Sequence, residues 1–239
     1  MSEKKNILIT GATGGIGSAT ARYLVGEGYF VILVGRNQEK LDSLVKELSP
    51  SALAYSYDLK DLYNIGSIFT FITDNNMKLD GMVHAAGINR DIAIRMNDVD
   101  IMQEVTAVNY MSFVELMKYF MKKKYSNDGG SVVAISSRAT MYPAPAMCTY
   151  IASKSALEAA VSVSAHEGVK RSIRVNAILP GGTDTDMLSR ANISKEDINR
   201  IQPLGIIQPV YIAYLAEFFL SEKSRYITGA KVPVTAGNM

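Results

Sequence analysis

The chain has 239 residues, 48% apolar and 20% charged, which suits one α/β domain or two small ones and excludes a disordered chain or a disulfide-stapled miniprotein. Twenty-five Lys and Arg against 23 Asp and Glu leave a formal charge of +2, so nothing global marks a nucleic-acid or membrane-surface binder. One cysteine, Cys148, and two histidines, His84 and His166, exclude an internal disulfide and a cysteine-rich zinc site, and no metal is expected.

The N-terminus, MSEKKNILIT, passes from charged residues straight into a short apolar strand over Lys5–Thr10, without the long apolar stretch of a signal peptide. A glycine-rich turn follows, then a helix over Ile16–Gly26 with apolar residues at helical spacing. The spacing next predicts a buried strand at Phe30–Gly35, an amphipathic helix at Gln38–Leu48, a strand at Ala52–Tyr57 and a helix at Asp61–Thr73. Leu79–Ala85 reads as a strand, Val99–Lys124 as one or two helices, Ser131–Ser136 as a strand, Thr149–Gly168 as a long helix and Ile173–Leu179 as a strand. A helix at Val210–Leu220 and a short strand near Lys231–Val234 complete the order. Seven apolar strands alternating with helices predict a single-domain, doubly wound α/β fold with a parallel sheet covered on both faces. The stretch Pro180–Pro209 is long for a connection inside such a domain, the kind that is usually functional or mobile. No window holds the roughly 20 apolar residues of a membrane span, and a cytoplasmic protein is expected.

The turn Thr10-Gly11-Ala12-Thr13-Gly14-Gly15-Ile16-Gly17 stands between the first strand and the first helix. Glycines there let the backbone approach a pyrophosphate, while the helix N-terminus offers N–H donors and a positive dipole end. A Rossmann-type site also needs a discriminator at the end of the second strand, an acid for the ribose 2′-hydroxyl of NAD or an arginine for the 2′-phosphate of NADP. This chain has Gly35-Arg36-Asn37 there, which favours NADP(H).

A glycine turn of the TGxxxGxG form resembles that of the short-chain dehydrogenase/reductase family, and further landmarks extend the likeness from end to end. His84-Ala85-Ala86-Gly87 is similar to the family's NNAG element, Asn109 in Val108-Asn109-Tyr110 to its helix asparagine, and Ser137 follows the strand SVVAIS. Tyr150-Ile151-Ala152-Ser153-Lys154 matches YxxxK, Pro180-Gly181 matches the PG turn, and Asp58 matches the adenine-contacting aspartate. The likeness is strongest to the 3-oxoacyl-acyl-carrier-protein reductases, through GINRDIAIRM, Thr185-Asp186-Met187 and Tyr226-Ile227-Thr228-Gly229. A second YxxxK, Tyr119 with Lys123, falls inside the preceding predicted helix, where an aromatic usually faces core or interface; position selects Tyr150.

The resemblance implies a catalytic set of Asn109, Ser137, Tyr150 and Lys154. It implies a cofactor site made by Gly11, Thr13, Gly14, Gly15, Ile16, Gly17, Arg36, Asp58, Leu59, Ala85, Ala86, Gly87, Asn109, Tyr150, Lys154, Pro180, Gly181, Thr183 and Thr185. Ketone reduction needs a hydride for carbon and a proton for oxygen, and tyrosine, with a reference pKa near 10, is a poor acid unaided. Lys154, one helical turn beyond Tyr150, is expected to lower that pKa, and Ser137 to donate to the carbonyl oxygen. By resemblance Lys154 also contacts the nicotinamide ribose and Asn109 helps to hold a water relay.

His84 is expected to be a hydrogen-bonded strand-end residue, and Cys148, two residues before Tyr150, a packing residue in preference to one lining the substrate entrance. The loop at about 183–208 is expected to wall the substrate, with Met187, Leu188, Ile193 and Ile198 suited to an acyl chain. Lys122–Lys124 at one helix end and Lys170-Arg171 after the next suit the helix dipole; the resemblance offers them to an acidic acyl carrier protein. A 3-oxoacyl thioester on acyl carrier protein or coenzyme A is the expected substrate. The alternatives are a pathway-specific ketoreductase of polyketide or other secondary metabolism, and an idle NADP(H)-binding regulator. A homotetramer or homodimer is expected, because Met111, Phe113, Leu116, Met117 and Phe120 offer more apolar surface than one core face needs.

Overall fold

The computed structural model describes residues 4–189 and 195–238. Seven strands, β1 (Asn6–Thr10), β2 (Phe30–Gly35), β3 (Ala52–Ser56), β4 (Leu79–His84), β5 (Ser126–Ile135), β6 (Arg174–Pro180) and β7 (Lys231–Val234), form one sheet in the order β3-β2-β1-β4-β5-β6-β7. Every pairing is parallel. The helices are α1 (Gly15–Gly26), α2 (Gln38–Leu48), α3 (Gly66–Asp74), α4 (Val99–Thr106), α5 (Ser112–Phe120), α6 (Cys148–Gly168), α7 (Asp186–Ser189), α8 (Lys195–Ile201) and α9 (Pro209–Leu220).

Strand alternation sorts the core into two layers. Ile7, Ile9, Val31 and Leu33 pack with α1, α2 and α9; Leu8, Ile32 and Val34 face the other way, toward α3, α5 and α6. The expected doubly wound sheet with helices on both faces is therefore present. The strand order reverses between β1 and β4, and open α/β sheets bind ligands at the carboxyl ends of strands beside such a switch point.

Several expected bounds shift, each for a local reason. The helix expected from Asp61 begins at Gly66, because Asp61 turns its carboxylate back onto the Asn64 amide and backbone N–H. A Cβ at Gly66 would stand 2.6 Å from the Tyr119 hydroxyl oxygen, so glycine lets α3 close onto α5. β5 starts at Ser126 rather than Ser131; its first half, Ser-Asn-Asp-Gly-Gly, carries no apolar signal, and the register slips between Leu79 and Gly81. The Val99–Lys124 segment is two helices joined by a π turn at Ala107–Met111.

α5 ends at Phe120, so Lys122–Lys124 lie beyond it rather than closing it. Lys122 and Lys124 rest over the Tyr119 and Tyr125 rings, and Lys123 reaches Asp128 at 3.8 Å. Arg171 is likewise engaged, its guanidinium 2.7 Å from Asp128 and 2.8 Å from the Ser126 carbonyl. Phe113, Leu116, Met117 and Phe120 are buried in this chain's own core, which overturns their reading as surplus surface; only Met111 of that set is exposed. The apolar residues actually left outside on these helices are Val99, Met102, Met111, Val114 and Val163.

Candidate functional site

The glycine turn is shaped by close approach. Gly11 adopts φ +65°, and a Cβ on it would stand 2.6 Å from the Ala86 backbone nitrogen, so the turn lies against the segment leaving β4. A Cβ on Gly17 would collide with the Gly11 carbonyl, and one on Gly15 would come within 2.5 Å of the Thr185 methyl. Gly14 is the N-cap of α1, with no side-chain cap and no acid in the first turn, so the positive end of α1 is left to another acceptor.

Beside this turn lies a cavity of about 180 Å³ lined by Gly11, Thr13, Gly14, Arg36, Asp58, Leu59, Ala85, Ala86 and Gly87. A larger cavity of about 500 Å³ opens at the same edge of the sheet, and Ala85 and Gly87 line both. Ile16, Ser137, Tyr150, Lys154, Pro180, Gly181, Thr183 and Thr185 line the larger one. A continuous wall thus runs from Arg36 past the mouth of the glycine turn to Tyr150. The cradle that Cβ atoms would fill, the open helix end and the paired cavities fit a dinucleotide. Gly15 and Gly17 line neither cavity; Gly17 lets α1 approach the turn.

α6 delivers Tyr150 and Lys154 on one face, and both are buried. Burial pushes the Tyr150 phenol up from its ordinary pKa, its hydrogen bond to Ser137 pulls it down, and Asp91 raises it further. The expected depression by Lys154 is absent here: its ammonium stands 6.0 Å from the centroid of the Tyr150 ring and donates to the Ile135 carbonyl at 2.8 Å. Burial in turn lowers Lys154 to about 8, with Glu158 acting in the opposite direction. Ser137 caps a short 3-10 turn, its hydroxyl accepting from Ala139 N at 3.2 Å.

Asn109 sits in the π turn but lines neither cavity. Its amide clasps the Ile88 backbone, accepting from N at 2.8 Å and donating to O at 2.9 Å, and also donates to Ser153 at 2.9 Å. It thereby fixes the segment after Gly87, where a Cβ would come within 3.1 Å of Lys154 Nζ.

His84 is a strand-end residue as expected: Nδ1 lies 2.9 Å from the Thr10 hydroxyl and the ring tilts against Phe113. Its Nε2 has no hydrogen-bond partner among the described residues. Cys148 is exposed, contrary to a packing role. Tyr119 of the second YxxxK stacks on Phe69, 5.1 Å between centroids, away from both cavities. Met187, Leu188 and Ile198 line the larger cavity, whereas Ile193 lies outside the described residues.

Sequence patterns did not single out Gln202, which lies in that cavity wall with Asp91, Tyr142 and Asn238. Gln202, almost wholly buried, accepts from Gly182 N and donates to the Gly182 and Gly205 carbonyls at 3.0 and 3.2 Å. Gly181 and Gly182 leave room for that amide; a Cβ on either would stand 2.7 or 2.9 Å from its oxygen. A lone glutamine carries no sequence signal for such a clamp.

No described helix is long and apolar enough to cross a membrane, and no described cluster of His, Cys, Asp and Glu could hold a metal. The family model for short chain dehydrogenases matches residues 5–196. A 3-oxoacyl-[acyl-carrier-protein] reductase FabG of Rickettsia bellii is 36% identical over 96% of this chain and 95% of its own length. One of Thermotoga maritima is 32% identical over 98% of both. A short-chain dehydrogenase/reductase structure from Mycobacterium ulcerans superposes with TM-score 0.91 at 27% identity, over 100% of this chain and 91% of that one. Glycine turn, switch-point cavities and the Ser-Tyr-Lys grouping thus agree with near full-length similarity: the chain belongs to the short-chain dehydrogenase family of oxidoreductases, in its 3-oxoacyl-acyl-carrier-protein reductase-like part.

Proposed function

We propose that this protein reduces a ketone to a secondary alcohol with NADPH, the substrate being a 3-oxoacyl thioester on acyl carrier protein or coenzyme A. The observation that carries this is the convergence of Ser137, Tyr150 and Lys154 on a cavity that shares Ala85 and Gly87 with the groove at the glycine turn. A nicotinamide held beside Tyr150 and Lys154 would supply the hydride that a carbonyl carbon needs. Ser137 donates to the carbonyl oxygen and orients it beside Tyr150, whose phenol gives up its proton as negative charge develops there. Lys154, cationic below about pH 8 and anchored on the Ile135 carbonyl, would hold the nicotinamide ribose in place beside Tyr150. Asn109 is a positioning residue that holds the Ile88 backbone. Arg36, which lines the smaller cavity with Thr13 and Gly14, would receive an adenosine 2′-phosphate.

Thr183, Met187, Leu188 and Ile198 line the cavity and would wall the substrate. An acidic carrier would approach Lys122–Lys124 and the exposed Lys170 in a cytoplasmic setting. The names of the FabG relatives support the substrate class. A pathway-specific ketoreductase is the second reading, favoured by Arg138 in the cavity wall. The test is oxidation of NADPH and NADH in parallel against 3-oxoacyl thioesters and unrelated ketones. NADPH-dependent turnover of the thioesters is expected; faster turnover with NADH would overturn the role of Arg36. Tyr150→Phe should abolish nearly all turnover while leaving NADPH binding measurable by fluorescence titration.

A further inference from the structure

The residue after Ser137 is a cation in the wall of the reaction cavity. Ser137 and Arg138 line the same cavity, so a group that Arg138 recognises shares it with the carbonyl that Ser137 orients. Its Nη1 donates to Asn238 Oδ1 at 3.0 Å, and its guanidinium carbon lies 5.3 Å from the Tyr142 ring centroid. These contacts hold the guanidinium while using one of its five N–H donors. Burial disfavours its charge, and among the described residues the one titratable side chain acting on it is Tyr142.

Among the described residues, the other charges lining the cavity are committed elsewhere. Lys154 donates to the Ile135 carbonyl, and Asp91, the cavity's one described acid, accepts from Asn89 at 2.8 Å and acts on Tyr150. The surrounding wall is largely apolar, with Pro145, Met147, Leu188 and Ile198. A planar guanidinium held among such groups matches a carboxylate bidentately, and partial exclusion of water strengthens the pair.

We propose that Arg138 is a specificity-determining residue that binds a carboxylate carried on the substrate's acyl portion, within the same cavity as the ketone. The proposal rests on the ketone-reduction reading and narrows it to 3-oxoacyl thioesters with an acidic acyl tail. The phosphate of a pantetheine arm is the other source of negative charge, but it lies many bonds beyond the thioester.

The test compares matched 3-oxoacyl N-acetylcysteamine thioesters ending in a free carboxylate or its methyl ester, and coenzyme A versions of each. The wild type should favour the carboxylate over the ester in kcat/KM by about 50-fold, within the range of charge-assisted recognition. Arg138→Met should bring that ratio to about one, and Arg138→Lys should retain part of it. Thermal melts establish that the variants fold, and Arg138→Gln replaces Met if Met does not. A wild-type ratio near one, or a ratio unchanged by Arg138→Met, overturns the proposal. So does a variant that lowers only the preference for coenzyme A over N-acetylcysteamine.

If no ketone of either charge is reduced, the parent reading fails. Calorimetric binding of the same carboxylate and ester then decides the role of Arg138: carboxylate preference lost in Arg138→Met supports it, and equal binding sinks it.

Discussion

Two buried bases beside the site respond to pH in ways their surroundings dictate. His84 is held down to about 3 by burial, with Lys154 adding to the shift. Its folded pKa is below the ordinary 6.5, so between these values the unfolded chain binds the extra proton and stability falls as pH falls. Its contribution to the slope approaches about 1.4 kcal/mol per pH unit. His84→Gln should therefore flatten the acid limb of urea-determined stability between pH 6.5 and 3; an unchanged limb would count against it. Lys154 falls to about 8, and the proposed reduction should lose kcat above that pH as the ammonium deprotonates. A rate profile that stays flat to pH 10 would contradict the role given to Lys154. Tyr150 and Lys154 were legible because their one-turn spacing and place on the helix determine a shared face. The sign of the Tyr150 shift was not, since burial and the actual direction of the ammonium are properties of the packed site.

At the level of elements, the motif most visible in the chain is also the one with least room. The N–H end of α1 reaches the groove because Gly17 meets the Gly11 carbonyl without a Cβ between them. Gly17→Ala should cost about 1–3 kcal/mol in denaturant stability, as overpacked positions do. It should also weaken NADPH binding in a titration; wild-type values for both would show that the turn can relax. Gln202→Ala removes three hydrogen bonds from the Gly182–Gly205 loop, and should raise KM for the ketone more than that for NADPH. Equal changes in both constants would contradict that role. Strands such as FVILVG were readable because both faces are buried. The first half of β5 and the turn before α3 were not, because polar and glycine residues there are placed by neighbours distant in sequence rather than by local periodicity.

The expected assembly is a matter of the whole chain. Val99, Met102, Met111 and Val114 of α4, the π turn and α5, with Val163 of α6, leave apolar side chains outside the core. Scattering in solution should return two or four times the chain mass, and charged replacements at Met111 and Val114 should reduce it; a monomeric wild type would refute the expectation. Which side chains of α5 stay outside was not legible, since Phe113 and Leu116 share its sequence pattern yet lie under α3 and the sheet. The placing of Gly11 against Ala86 has a consequence in time rather than space. β1 pairs with β4 only after the intervening β2 and β3 have been made, and such distant parallel contacts form slowly. A chain synthesised only as far as β3 therefore owns the glycine turn but not the surface it leans on. In refolding experiments, cofactor fluorescence enhancement should emerge with the final phase rather than with early helix formation, making nucleotide capture a report that the chain has finished folding.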